Sequence, residues 1–413
     1  MRSNYKQLGQ YITSINIRNT EMSVETLLGV SVKKIFIPSI ANTVGTDFKK
    51  YKIVKRNQFT YIPDTSRRGE KIGLAMLEDY DIALVSQAYT VFKIIDHNQL
   101  DPEYLMMWFR RPEFDRYARY KSHGSVREAF DWEEMCEVEL PIPSIEKQRA
   151  IVKEYNTVVN RIKLNEELNR KLEETAQAIY KEWFVDFNFP ITEESCPELA
   201  SGSPHLIGKP YKSSGGEMVW DDELDKEVPE GWNKIYLEDI IEIHDSKRIP
   251  LSGSERVHML KLYPYYGAAS LMDYVEDYLF DGTYILLGED GSVVNKNGTP
   301  ILQYVWGKFW VNNHAHILKA KRGFSEDSLY MLLANTNVTD IITGGVQAKI
   351  SQTNLKSVLT IYPDEYTLKS FNLMLAPIFY YKKSVLESIL KLNSLEEILL
   401  SKMSKVDLEK ELL

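Results

Sequence analysis

The chain has 413 residues, 44% of them hydrophobic and 11% aromatic, with a formal net charge of −9. That length accommodates two or three domains, and the apolar content supports packed cores rather than disorder. No apolar run approaches the roughly 18 residues of a membrane span, and only Cys136 and Cys196 are present, without metal-type spacing, so a spanning helix and a disulfide framework are excluded and a reducing cytoplasm is expected.

Residues 1–143 carry a net charge of +1 and mix β-branched and aromatic runs such as IALVSQAYTVFKI with turn residues. A helical stretch follows around PEYLMMWFRRPEFDRYARY, which predicts a compact α+β unit. From Ser144 the pattern changes. No Gly or Pro interrupts the chain until Pro190, predicting one long helix over 144–186. Its seam runs Val158, Ile162, Asn165, Asn169, Leu172, Ala176, Ile179, Trp183 at alternating spacings of four and three, a coiled-coil register with two polar positions. Forty helical residues extend about 60 Å.

Residues 187–228 are richer in Pro, Gly, Ser and acid and read as a linker or arm. A second globular unit is expected over 229–363, where GTYILLGEDGSV, ILQYVWGKFWV and HAHILKAK are strand-like and DSLYMLLANT is helical. A second long helix is expected over 364–413, with a seam through Phe371, Met374, Ile378, Tyr381, Val385, Leu392, Leu395, Leu399 and Val406 that Ser388 and Lys402 interrupt. Two helices of this length most economically pack antiparallel. The helix and linker of 144–229 hold most of the acid, with a net charge of −6. A chain that gripped DNA alone through many phosphates would be basic, so any DNA reading here needs a partner that supplies positive charge.

The architecture is written twice. Gly124, Val126, Val138 and Pro143 align without a gap on Gly344, Val346, Val358 and Pro363, about 220 residues on, and each segment closes a strand-rich unit and opens a long helix. VSQAYTVFK (Val85 to Lys93) and VNNHAHILK (Val311 to Lys319) correspond similarly and predict a common strand in both units.

A unit ending in LPIPSIEKQRAIV, a helix ending in AQAIYKEWFVDFNFP and an arm with KPYKSSGGEMVW leading to VPEGW resemble the specificity subunits of type I restriction-modification systems. In the second unit YPYYGAAS, YILLGEDGSV, VNNHAHILK and GGVQAKISQTNLKSV look like that family's target recognition domain. In the first, YKIVKRNQFTYIP, GEKIGLAML, YLMMWFRRPEFDR and GSVREAFDW resemble another branch of it. The second long helix departs from the pattern, with Pro363, Asp364, Glu365 and Tyr366 in place of the Pro-rich, Gln-containing start seen at Pro143 to Gln148. The resemblance implies an α+β architecture: two α+β target recognition domains separated by two long antiparallel coiled-coil helices with a pseudo-two-fold internal repeat. It implies a non-catalytic subunit that reads double-stranded DNA, each recognition domain taking one half of a bipartite asymmetric target. The helices would set the gap and dock two modification (methyltransferase) subunits. S-adenosylmethionine, ATP and Mg are then expected in the modification and restriction or motor subunits, with no cofactor in this chain, and the setting is a bacterial or archaeal cytoplasm. The alternative is a coiled-coil adaptor whose globular ends bind proteins; a self-sufficient enzyme would need a nucleotide or S-adenosylmethionine motif, and none is found.

Several short patterns imitate catalytic motifs. Asp101-Pro102-Glu103-Tyr104 is close to an amino-methyltransferase motif but reads as a helix start capped by Asp101. The run from Gly288 to Ser292 reads as a turn rather than a phosphate loop, because no Gly-Lys-Ser/Thr follows. His314 and His316 read as a polar surface strand with no metal role. Base edges are read by Arg, Lys, Asn and Gln, and phosphates by Lys, Ser, Thr and backbone amides. Polar turn residues are therefore the DNA candidates: Lys49, Lys50, Lys52, Arg67, Arg68, Gln87, Tyr89, Lys121, Ser122 and Arg127 in the first unit. In the second they are Tyr265, Tyr266, Asn295, Lys296, Asn297, Asn312, Asn313, His314, Gln347 and Lys349. The aromatic segment YKEWFVDF supplies the expected partner contacts, Tyr180, Trp183, Phe184 and Phe187.

Overall fold

The computed structural model describes residues 5–39, 46–65, 71–122, 128–345 and 347–405. Arg67, Arg68, Arg127, Gly124, Val126, Val346 and Val406 lie outside them. The chain divides into two units, one formed by residues 1–166 with 387–413 and the other by 167–386. The two long helices, Ile145–Phe184 and Glu365–Lys402, each contribute to both. Among the described residues no helix is long and apolar enough to cross a membrane.

In the first unit a four-stranded antiparallel sheet runs in the order Ile12–Ile15, Thr90–Ile94, Phe59–Tyr61, Leu74–Met76. Phe59, Thr60 and Tyr61 are all buried, so this strand is covered on both faces and loses the alternation of a half-exposed strand. Helix Pro102–Arg110 covers one face; Phe109 meets Phe59 and Phe92 edge-on at 6.0 and 6.2 Å. The single helical stretch expected here is two helices, Pro102–Arg110 and Pro112–Lys121. Pro112 forces Arg111 into an extended conformation (φ −70°, ψ 137°) and breaks the run there.

In the second unit a four-stranded antiparallel sheet runs in the order Ile241–Ile243, Ala315–Ala320, Tyr284–Gly288, Leu302–Val305. The sequence positions of its strands repeat the first sheet's plan, with the late strand inserted second. Helix Glu326–Ala334, capped by Ser325, packs its Leu329, Leu332 and Leu333 against Leu287 and Leu318. In both units an early strand also pairs with the strand that precedes a long helix: Tyr5–Gln7 with Glu139–Pro141, and Asn233–Tyr236 with Leu359–Tyr362. The segments expected to form one common strand are each a strand, a turn and a second strand. Val85 ends Ile82–Val85 before Thr90–Ile94 begins, and Val311 ends Lys308–Val311 before Ala315–Ala320 begins. The two strands of each segment join different sheets.

Gln148 fixes the start of the first long helix. Its side chain is fully buried, donates to Gln99 O and Pro143 O and accepts from Asp101 N, each at 2.9 Å. Such bonds contribute roughly 0.5 to 1.5 kcal/mol each. The second long helix instead buries Leu368 in its first turn. Within the first unit the two helices run antiparallel: Tyr155 Oη donates to Glu396 Oε1 at 2.5 Å and Asn165 Nδ2 to Ser388 Oγ at 3.0 Å. The same sense holds in the second unit, where Lys382 pairs with Glu173 and Phe184 meets Phe371 at 4.7 Å.

The seam of the first helix follows the expected register, with Val158, Ile162, Asn165, Ala176 and Trp183 buried. The second helix departs from it. Phe371, Leu375, Phe379, Lys382 and Val385 are buried, whereas Met374 and Tyr381 are 45% and 60% exposed. The buried positions step by four, four, three and three, which keeps the mean 3.5 of a heptad but shifts the seam by one residue, to Leu375, Phe379 and Lys382, between the expected positions Phe371 and Val385.

The segment 187–228, expected to be a linker or arm, is folded within the second unit. Phe187, Phe189, Ile191, Tyr211 and Val228 join one core with Trp183, Phe184, Trp232 and Phe371, and Met218–Asp221 pairs with Lys226–Pro229. The helix ends without Gly or Pro because Phe187 adopts φ 55°. Burial of its ring beside Trp232, at 5.8 Å, offsets the cost of about 1 to 2 kcal/mol.

Candidate nucleic-acid interface

In the first unit one basic cluster forms at the corner between the two sheets. Lys49 and Lys50 lie in an exposed turn capped by Asp47, whose Oδ1 accepts from Lys49 N at 3.1 Å. Lys52 Nζ donates to Tyr89 O at 2.6 Å, tying the strand Lys52–Lys55 to the turn 86–89 that carries exposed Gln87. Burial, with Arg18 nearby, lowers the pKa of the Lys52 ammonium. Arg18 Nη1 donates to Lys50 O at 3.0 Å. Arg18 is therefore a member of this cluster that sequence reasoning missed; a lone Arg in a polar stretch gave no signal.

Lys121 and Ser122 are taken up inside the unit. Lys121 lies 2.9 Å from Glu134 and 3.1 Å from Glu137, and these hydrogen bonds raise its pKa. Ser122 Oγ donates to Ala118 O at 2.6 Å and accepts from Thr65 Oγ1 at 2.9 Å, so it closes a helix rather than facing a ligand. Thr65 N donates to Glu128 O at 3.0 Å, so the described residues next to the segments bearing Arg67, Arg68 and Arg127 are joined.

In the second unit His314, Gln347 and Lys349 are exposed and come together. His314 Nδ1 lies 2.5 Å from Asp290 Oδ1, Gly291 N donates to Ala348 O at 2.9 Å, and Lys349 Nζ lies 3.3 Å from Glu289. Asn313 is exposed in the same turn as His314. Gly344 holds φ +95°, where an added Cβ would overlap Gln347 O, so the turn demands glycine there. Asn295, Lys296 and Asn297 form a separate exposed turn, closed by Asn295 N donating to Thr299 O at 2.8 Å and lying beside Val338, whose N–H reaches Gly298 O at 2.9 Å.

Three candidates of the second unit are framework residues. Tyr265 is 1% exposed, its hydroxyl accepts from Leu251 N at 3.1 Å, and Arg256 stacks on its ring at 4.7 Å. Asn312 is 5% exposed and its Oδ1 accepts from His314 N at 2.9 Å, which shapes the turn. Tyr266 is half-buried against Phe309, and burial raises its hydroxyl pKa. The aromatic partner candidates are also corrected. Trp183, Phe184 and Phe187 are at most 8% exposed, and Tyr180 stacks on Phe184 at 5.1 Å. Their density in sequence serves the internal core around Phe371 and Trp232.

Asp101 caps its helix through Glu103 N and Tyr104 N, at 2.9 and 3.1 Å, and the run 288–292 is a turn after Tyr284–Gly288. His316 overturns the reading of a polar surface strand, because it is fully buried. Its Nδ1 lies 2.6 Å from Asp245 Oδ2 and its Nε2 lies 2.8 Å from Ile350 O. Asp245 also accepts from Ile317 N at 2.9 Å and Gln352 Nε2 at 2.6 Å. Asp245, Glu289 and His316 bring ligand-type atoms within 4.8 Å of one another, from three distant points in the sequence. The positive charge between the carboxylates is the Arg248 guanidinium, 2.5 Å from Glu289 and 3.5 Å from Asp245. Burial pushes both carboxyls up, but His316 at Asp245 and Arg248 at Glu289 hold them below their ordinary range.

Residues 8–174 and 229–366 match the family described as the type I restriction modification DNA specificity domain. A chain from Haemophilus influenzae described as a type I restriction enzyme specificity subunit is 35% identical over 122 residues, 30% of this chain and 31% of that one. The type I restriction enzyme MjaIX specificity subunit of Methanocaldococcus jannaschii is 24% identical over 330 residues, 75% of this chain and 70% of its own. The crystal structure of a type I restriction-modification S subunit from M. genitalium shares the fold, with a TM-score of 0.53 at 14% identity over 97% of this chain and 95% of that one. With matched segments in both units and the strand plan common to them, this chain belongs to the type I restriction-modification DNA specificity family.

Proposed function

We propose that the chain is the non-catalytic DNA reader of a type I restriction-modification assembly, each unit recognising one half of a bipartite, asymmetric target. The observation that carries this reading is the repeated strand, turn and strand corner furnished with unlike residues: Lys49, Lys50, Lys52, Gln87 and Tyr89 in one unit, Asn313, His314, Gln347 and Lys349 in the other. Asn, Gln, Lys and Arg in strand-flanking turns have the donor and acceptor sets that read base edges and phosphates. Unlike sets on a common frame fit unlike half-sites. The exposed turn Asn295 to Asn297 and the segments bearing Arg67, Arg68 and Arg127 belong to the same assignment. The long helices are assigned to fixing the gap and docking two modification subunits, with S-adenosylmethionine, ATP and Mg used by the modification and motor subunits in a prokaryotic cytoplasm.

The test is genome-wide mapping of N6-methyladenine in cells expressing the chain with its modification subunit, against cells lacking the chain. A new split motif is expected, and exchanging residues 1–143 should alter only one of its halves. A stable complex with an active methyltransferase but no chain-dependent motif would overturn the reading in favour of an adaptor.

A further inference from the structure

In the second unit the exposed Asn313, His314, Gln347 and Lys349 stand on two loops distant in sequence, and those loops meet the turn 289–291 on a buried charged cluster. Arg248 is central to it. Its side chain is only 14% exposed, and its Nη1 reaches Glu289 Oε2 at 2.5 Å, Ala315 O at 2.9 Å and Asn313 O at 3.3 Å. It thus joins the turn 289–291 to the carbonyls on either side of His314. Asp245 joins the start of strand Ala315–Ala320 to the start of helix Gln352–Lys356, and His316 joins Asp245 to the end of the segment 343–350. Glu289 accepts from Arg248 on one oxygen and lies by Lys349 on the other.

An arginine in a DNA reader ordinarily takes a phosphate or a guanine edge. This one is committed to carbonyl and carboxylate oxygens of its own unit. We propose that Arg248, with Asp245, Glu289 and His316, is a positioning residue for recognition: it sets the mutual placement of Asn313, His314, Gln347 and Lys349 and touches no DNA. The inference rests on the recognition reading above. Its physical basis is the coupling within a buried charge network, where removing one member leaves its partners uncompensated and moves every loop they hold.

The test uses the full chain with its modification subunit and duplexes carrying single base changes in either half of the mapped motif. The second unit's half is the one unaltered by exchange of residues 1–143. Arg248→Gln should reduce discrimination in that half by about tenfold or more and leave the other half within about twofold. The slope of log affinity against log salt should not change, because no phosphate contact is lost. A folded Arg248→Gln protein whose slope falls by about one, with discrimination kept, would mean a direct phosphate contact and overturn the proposal. If Arg248→Gln does not fold, the isosteric Glu289→Gln decides, and full discrimination in that variant overturns the proposal. A wild-type complex with no sequence preference in either half is a different failure, that of the recognition reading itself.

Discussion

Lys34 Nζ lies 2.5 Å from Asp115 Oδ1, with the two side chains 5% and 10% exposed. Lys34 also donates to Ile72 O at 2.9 Å, and Ile72 N donates to the same Asp115 oxygen at 3.0 Å. The pair therefore ties the loop at Lys34, where φ is 63°, to the chain before Leu74–Met76 and to helix Pro112–Lys121. Burial lowers the pKa of the ammonium, and Asp115 opposes that shift. Asp115→Ala leaves a buried cation alone and should cost about 3 to 5 kcal/mol in urea denaturation. Lys34→Met with Asp115→Leu should recover part of this, since it removes both charges but leaves the Ile72 N–H and carbonyl without these partners, at about 1 to 3 kcal/mol each. An Asp115→Ala chain with an unshifted midpoint would remove the pair from any account of this unit's stability.

Asn165 and Ser388 meet at 3.0 Å inside the antiparallel helix pair of the first unit, with Asn165 5% exposed. A polar pair in an apolar seam costs stability and penalises slipped alignments, which would bury one partner without the other. Asn165→Leu with Ser388→Ala should raise the thermal midpoint, by about 1 kcal/mol in stability. Asn165→Leu alone should gain less, because Ser388 keeps its hydroxyl without this partner. A lower midpoint for the double variant would show that the hydrogen bond outweighs the burial it displaces.

The sequence pattern makes the large elements legible because their signals are local. An unbroken run from Ser144 to Phe189 without Gly or Pro has one economical reading, and Val138 and Val358 sit at matched points before matched strands, Glu139–Pro141 and Leu359–Tyr362. What is not legible depends on contacts distant in sequence. Trp183 and Phe187 look like a surface patch until Phe371 and Trp232, far along the chain, are placed against them. His316 looks like a strand surface residue until Asp245 and Ile350 enclose it. Asn312 and Asn313 are identical neighbours, and only the turn decides that the first shapes it while the second is exposed.

Trp183 is 5% exposed and its ring lies 5.6 Å from that of Phe371. Truncating a buried aromatic removes its transfer energy and leaves a cavity, so Trp183→Ala should cost about 3 to 5 kcal/mol in the isolated chain. Phe371→Ala should cost a similar amount, and the double variant less than the two together, because the rings share one contact. An exposed partner-binding ring would behave differently. Its removal would leave the isolated chain's denaturation midpoint unchanged and weaken only the complex.

The Asp245 and Glu289 carboxyls are both held below their ordinary values of 3.8 and 4.5, in the face of burial, by His316 and by Arg248 respectively. A depressed folded value means that the unfolded chain binds more protons in acid, so the stabilisation is fully present above the ordinary values and is lost as pH falls through the folded ones. Thermal unfolding of the second unit should therefore show a midpoint that is flat near neutrality and falls below about pH 4. Asp245→Asn cannot titrate and should flatten part of that fall. It should also lower the midpoint at neutral pH, because the amide cannot replace a carboxylate that accepts from Ile317 N, Gln352 and His316 together. Equal acid dependence in wild type and Asp245→Asn would place the acid-sensitive groups elsewhere in the unit, with Glu289→Gln as the next variant to compare.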